Sequence, residues 1–128
     1  MLKLIASPAL DALFGPGSRG EVDIVGSLQL ADGSVRRVTG QVDRLAVAGE
    51  TVIIADYKTN AVPPRDPAGI TESYVEQLAL YRAVLGPLYP SKTIDCVIIY
   101  TATQAAFTLA EDRLDKALHR LRSRSAAA

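Results

Sequence analysis

The chain has 128 residues, 48 % hydrophobic and 22 % charged, a length and balance that suit one globular α/β domain with a core of its own. Its 14 basic and 14 acidic side chains cancel to a formal net charge of zero, which excludes the strongly basic signature of a free-standing DNA binder but not a domain whose DNA is delivered by something attached to it. One cysteine, Cys96, excludes an internal disulfide or thiolate metal site, and no apolar stretch approaches the roughly 20 residues of a membrane span, so a cytoplasmic protein without membrane contact is expected.

Ser7 and Pro8 ahead of Ala9-Leu10-Asp11-Ala12-Leu13-Phe14 supply an N-cap, a proline at the first helical position and helical apolar spacing, closed by Gly15-Pro16-Gly17. That pattern predicts one short helix and then a turn. Over 21–30, Val22, Ile24 and Leu28 alternate with small or polar residues as a half-buried strand does, and Asp32-Gly33 is a hairpin signal. The next strand is expected over 35–47 and a third over 51–57, joined across Ala48-Gly49-Glu50 in an antiparallel meander. Residues 60–66, with Pro63, Pro64 and Pro67, read as an exposed loop.

Helical spacing returns over 71–85, where Tyr74, Leu78, Tyr81 and Leu85 form one stripe that Gly86-Pro87 ends. The β-rich run 93–101 is a buried strand, with Cys96 as a small core residue, and a crossover through the preceding helix lets it run parallel to a neighbour. Leu114, Ala117, Leu118 and Leu121 mark a last helix, with Thr108 and Glu111 spaced as a capping box. The expected order is helix, three strands, helix, strand, helix, with an ordered core over 8–121 and a tail over 122–128.

Within the meander, Gly40-Gln41-Val42-Asp43-Arg44 and Ile54-Ala55-Asp56-Tyr57-Lys58-Thr59 set charged groups in strands where a fold normally holds Val or Ile. A two-residue loop at Gly49-Glu50, with glycine first as a type II′ turn prefers, pairs Ala48 with Thr51. The same count sets Asp43 opposite Asp56 and Gln41 opposite Lys58. Cross-strand Cβ atoms lie about 4.5–5.5 Å apart, so the two carboxylates could share a divalent cation, with Lys58 on the same face about 7 Å along. Without a cation the carboxylates repel. Bound Mg²⁺ would activate water for phosphodiester hydrolysis, and Lys58 would orient the water or stabilise developing charge. Solvated surface ion pairs are the competing reading. Against it, Val52-Ile53-Ile54-Ala55 leads into Asp56 as a buried strand.

Gly-x-Val-Asp-Arg, Ile-x-Asp-Tyr-Lys-Thr and Gln77-Leu78-Ala79-Leu80-Tyr81 together resemble the nuclease domain of the RecB family within the PD-(D/E)xK superfamily. With Phe14-Gly-Pro-Gly-Ser-Arg-Gly-Glu21-Val, the likeness is greatest to the C-terminal domain of AddA-type helicase-nuclease subunits and runs over about 8–121. The resemblance implies a restriction-endonuclease-like fold, a mixed sheet of the antiparallel meander plus a strand after the crossover helix, flanked by helices. It implies Mg²⁺, or Mn²⁺, on Asp43, Asp56 and the Tyr57 carbonyl, a catalytic Lys58, and Glu21 near the metal. Gln77 and Tyr81 match the family's Gln-x-x-x-Tyr motif. From the residues alone, Tyr81 also reads as core and Glu21 as a solvated strand-start acid.

The parent so implied is a much larger ATP-dependent helicase-nuclease that processes double-strand breaks for recombinational repair. It would work with an AddB-type partner subunit, its motor delivering single-stranded DNA. Many RecB-family nucleases carry an upstream metal-site histidine, whereas the one histidine here, His119, is expected at the surface of the last helix. A weakly active or inactive isolated domain is therefore expected. The iron-sulfur form of the family is excluded by the cysteine count. A non-catalytic DNA-holding or docking module and a stand-alone RecB-like exonuclease are the rival functions.

Overall fold

A computed structural model describes Gly15 and residues 17–59, 62–103 and 105–124. The helix expected at 8–14 lies outside the described residues. Among the described residues, five strands follow one another as β1 (Ser18–Gln29), β2 (Val35–Ala48), β3 (Thr51–Lys58), β4 (Thr93–Tyr100) and β5 (Ala105–Thr108), with α1 (Glu72–Leu85) before β4 and α2 (Glu111–Ser123) after β5. They form one mixed sheet in the order β1-β2-β3-β4-β5. Only the β3/β4 pair is parallel, because α1 carries the chain back across the sheet between them. This is a mixed sheet made of an antiparallel meander plus a strand after a crossover helix, flanked by helices, as expected.

Both hairpins close as the sequence predicts. Gly33 takes φ +88° and its N–H reaches Leu30 O, leaving Ala31-Asp32-Gly33 as a three-residue loop. At the second turn Gly49 has φ +59° while Glu50 stays outside the left-handed region, the φ signs of a type II′ turn, and Ala48 pairs with Thr51.

Two local expectations are corrected. Residues 105–108, given no strand in the expected order, form the edge strand β5 against Val97–Tyr100. Four residues are too few to show a period. Thr108 therefore belongs to a strand and caps nothing; the N-cap of α2 is Ala110, without a side-chain bond, and Glu111 and Asp112 favour the helix start by charge alone. Helix α1 ends at Leu85 with Gly86-Pro87 following, as expected, and the right-handed Gly86, at φ −50°, leads into the 3₁₀ turn Gly86–Leu88.

The main core lies between the sheet and the two helices, with Ile24, Leu28, Val38, Val42, Leu45 and Ile54 on the strands meeting Val75, Leu78, Leu114 and Leu121. A smaller apolar cluster, Ala46, Ile53, Ala55, Val97 and Ile99, occupies the other face of the central strands. Ion pairs clamp the helices together, with Arg82 to Asp115 at 2.9 Å, Arg113 to Glu72 at 3.1 Å and Arg124 to Glu76 at 2.9 Å. No helix among the described residues is long and apolar enough to cross a membrane.

Candidate active site

The β2/β3 ladder runs from Ala48 and Thr51 to Arg44 and Ala55, and there it stops. From that point β3 continues along β4, with Asp56 beside Ile98 and Lys58 beside Tyr100, while the other half of β2 follows β1. The two strands part at Asp43 and Asp56. The Tyr57 N–H, two residues beyond the ladder, donates to Asp43 Oδ2 at 2.7 Å, so a carboxylate replaces the missing strand partner.

A change of phase in β2 accompanies the parting. Val38, Val42 and Leu45 all belong to the helix-side core, yet strict alternation would put Val42 and Leu45 on opposite faces. The phase therefore shifts across Asp43-Arg44. On β1 the opposing residue is Glu21, flanked by the pairs Gly20 with Arg44 and Val22 with Val42. Glu21 has φ +52°, the one non-glycine positive φ among the described residues. A left-handed residue of this kind costs about 1–2 kcal/mol, and the local redirection of both strands accompanies it.

Asp56 and Lys58 leave the strand toward α1. Their side chains are each 17 % exposed, and Lys58 Nζ lies 2.5 Å from Asp56 Oδ2. That contact is an ion pair without good hydrogen-bond direction, since Oδ2 is shielded from solvent yet accepts no well-formed hydrogen bond. Burial raises the Asp56 carboxyl above the usual carboxylate range, and the neighbouring Asp43 carboxylate pushes the same way while Lys58 opposes both. The predicted meeting of the two acids is thus present, at the end of the ladder. The other half of the predicted register is not: Gln41 faces Asp23 on β1 and donates to its Oδ1 at 3.2 Å, because the strands have already separated where it would have met Lys58.

Helix α1 bridges the parted strands. Tyr74 puts its ring 3.9 Å from Lys58 Nζ, above β3. Gln77 donates from Nε2 to the Tyr81 hydroxyl at 3.3 Å. Tyr81 is buried, and its hydroxyl would lie 2.1 Å from a Cβ at Gly40, so only glycine lets β2 approach the ring this closely. Tyr81 is thus a core residue, as the residues alone suggested, and its hydroxyl accepts from Gln77, whose exposed side chain lines an open cleft of about 500 Å³ with Lys58, Thr39, Ser73 and Arg36.

Glu21 is exposed, and no group of three or more His, Cys, Asp or Glu among the described residues is close enough to hold a metal ion, so Glu21 does not join the two aspartates. His119 is exposed on α2 as expected. Cys96 is buried and its thiol is pushed up to about 12 by that burial, as a core residue's would be. Two contributions escaped the sequence reading. Tyr74 was legible as three residues before Gln77 and seven before Tyr81, and Gly40 as an isolated glycine in mid-strand.

Residues 6–127 match the sequence profile of the PD-(D/E)XK nuclease superfamily. A solved structure described as "Crystal structure of SSO0001" is similar at 19 % identity with a TM-score of 0.46, over 86 % of this chain and 52 % of that one. The chain therefore spans about half the length of that structure. No curated protein matches the chain in sequence.

Proposed function

Because the chain belongs to the PD-(D/E)XK nuclease superfamily, we propose that it is a divalent-metal-dependent DNA nuclease domain acting at the cleft between β2 and β3. The observation that carries the reading is Asp56 Oδ2, withdrawn from solvent without a well-formed hydrogen bond, beside a second carboxylate that raises its proton affinity. Two crowded carboxylates with unused lone pairs fit a hard, oxygen-seeking cation. Asp43, Asp56 and the Tyr57 carbonyl are the proposed ligands for Mg²⁺ or Mn²⁺, and Glu21, exposed on β1, stands apart from them. Such a cation supplies Lewis acidity at the scissile phosphate and an acidified water.

The chain's own residues do the remaining work. Asp43 is held in place through the Tyr57 N–H, which fixes its carboxylate before any ligand arrives. Lys58, extending into the cleft from the same strand as Asp56, holds a phosphate oxygen or the nucleophile's proton and stabilises developing charge. Gln77, tied to Tyr81, presents its amide to the DNA backbone at the cleft wall.

The finer reading is the nuclease domain of an AddA-type helicase-nuclease, in the cytoplasm with an AddB-type subunit, processing double-strand breaks. A net charge of zero supports it, since guidance of the strand then falls to an attached motor. The test is cleavage of linear single-stranded DNA with Mg²⁺ or Mn²⁺ by the wild type, Asp56→Ala and Lys58→Ala. Each substitution should lower the rate by about 10²-fold or more. Unchanged cleavage in both would overturn the assignment.

A further inference from the structure

Lysine 58 ends in a compact charge on a flexible four-carbon stem, and such a group needs something to hold it. Two things do so here. One is Asp56, at 2.5 Å. The other is the face of Tyr74, with Nζ 3.9 Å from the ring centroid, well inside the range in which an aromatic quadrupole attracts a cation. On the nuclease reading Asp56 has a second claimant, the metal ion, whereas the ring face has none.

We propose that Tyr74 is a positioning residue for Lys58, its ring a cation–π platform that keeps the ammonium aimed into the cleft when the Asp56 carboxylate is engaged elsewhere. The proposal rests on the nuclease reading for its functional meaning and on the Lys58 to Tyr74 geometry for its substance.

The surroundings favour a platform over a core filler. Tyr74 is only half-buried, while the next residue, Val75, is fully buried and supplies the core contact at that turn of α1. The helix beneath is rigidly placed: Leu78 is buried one turn on, and Glu72 and Glu76 on either side of Tyr74 are tied to Arg113, Arg120 and Arg124 of α2 and its end. Farther along the same face Tyr81 is seated on Gly40. One helix face thus fixes the lysine of β3 by its first tyrosine and the backbone of β2 by its second.

Two substitutions separate the roles of the ring. Tyr74→Phe keeps the aromatic face and Tyr74→Leu keeps apolar bulk without it. The first readout is proton NMR of the full chain without metal or DNA, with the Lys58 ε-methylene signal assigned by its loss in Lys58→Arg. Ring-current shielding should place that signal upfield of the other lysines in the wild type and in Tyr74→Phe, and return it among them in Tyr74→Leu. The second readout is steady-state cleavage of single-stranded DNA. Tyr74→Leu should lower kcat about 5- to 30-fold, the factor equivalent to a partly desolvated cation–π contact, with KM unchanged within about twofold. Tyr74→Phe should restore kcat to within about twofold of wild type. Matching urea midpoints for the two variants separate positioning from loss of fold.

An unshifted Lys58 signal in the wild type overturns the proposal. So does a folded Tyr74→Leu variant that cleaves at the wild-type rate. Should the wild type cleave nothing, the placement of the lysine stands or falls on the NMR signal alone.

Discussion

Replacing Gly40 by alanine tests how tightly α1 is seated across the parted strands. A Cβ there would meet the Tyr81 hydroxyl, Cζ and Cε1 at 2.1, 2.7 and 2.8 Å, all closer than real Cβ contacts come. Gly40 is not left-handed, so alanine itself fits the backbone and, in a strand, gains about 0.5–1 kcal/mol over glycine. Against that gain stands overpacking, which costs about 1–3 kcal/mol, and three clashing atoms of one rigid ring argue for the upper part of that range. The net loss should be about 1–2.5 kcal/mol. With a urea slope of roughly 1.5 kcal/mol/M, the denaturation midpoint falls by about 0.7–1.7 M. Tyr81→Phe removes only the hydroxyl and leaves Cζ and Cε1 in conflict, so Gly40→Ala should still destabilise that background. In Tyr81→Leu, which removes the ring, the same substitution should become neutral or stabilising, a coupling a double-mutant cycle measures directly. An unchanged or raised midpoint for Gly40→Ala in the wild-type background would refute the close approach.

Asp56 makes a pH prediction for the chelator-treated protein. Burial and Asp43 raise its carboxyl above the ordinary 3.8, so the folded chain binds that proton more tightly than the unfolded one. The contribution is fully present below the unfolded value and is lost as pH rises through the elevated folded value. The stability of the wild type relative to Asp56→Asn should therefore fall over that window in parallel urea titrations; a difference that grows with pH would contradict it. Asp43→Asn removes the like charge beside Asp56 and keeps an oxygen for the Tyr57 N–H. It should raise metal-free stability by about 0.2–1 kcal/mol in a thermal melt and abolish any further rise on adding Mg²⁺. Cys96, buried with its thiol at about 12, should resist a thiol reagent in the native protein and react with one equivalent once urea unfolds it.

Much of the fold was legible because its signals are local. The glycine of a type II′ turn set the register of β2 and β3, and with it the approach of Asp43 to Asp56. Counting onward from the turn failed beyond Arg44 and Ala55, where the phase shift in β2 and the left-handed Glu21 end the pairing. Nothing in a period-2 pattern announces where a ladder stops, so Gln41 was paired with the wrong strand. β5 was missed for a related reason: its four residues acquire strand character only from β4. The Gln77 and Tyr81 pair was visible from i, i+4 spacing, but the seat of Tyr81 on Gly40 depends on two elements that meet only in the folded chain.

The hydrogen bond from the Tyr57 N–H to Asp43 has an entropic consequence. Ordinarily a carboxylate recruited to a ligand gives up rotamer freedom at the moment of binding, a loss on the order of 0.5–1.5 kcal/mol for an immobilised side chain. For Asp43 that loss falls during folding instead, since Oδ2 already serves the backbone at the fork. The Asp43 carboxylate is therefore in a fixed rotamer once the hairpin has folded, and folding the hairpin and orienting this carboxylate beside Asp56 become a single event.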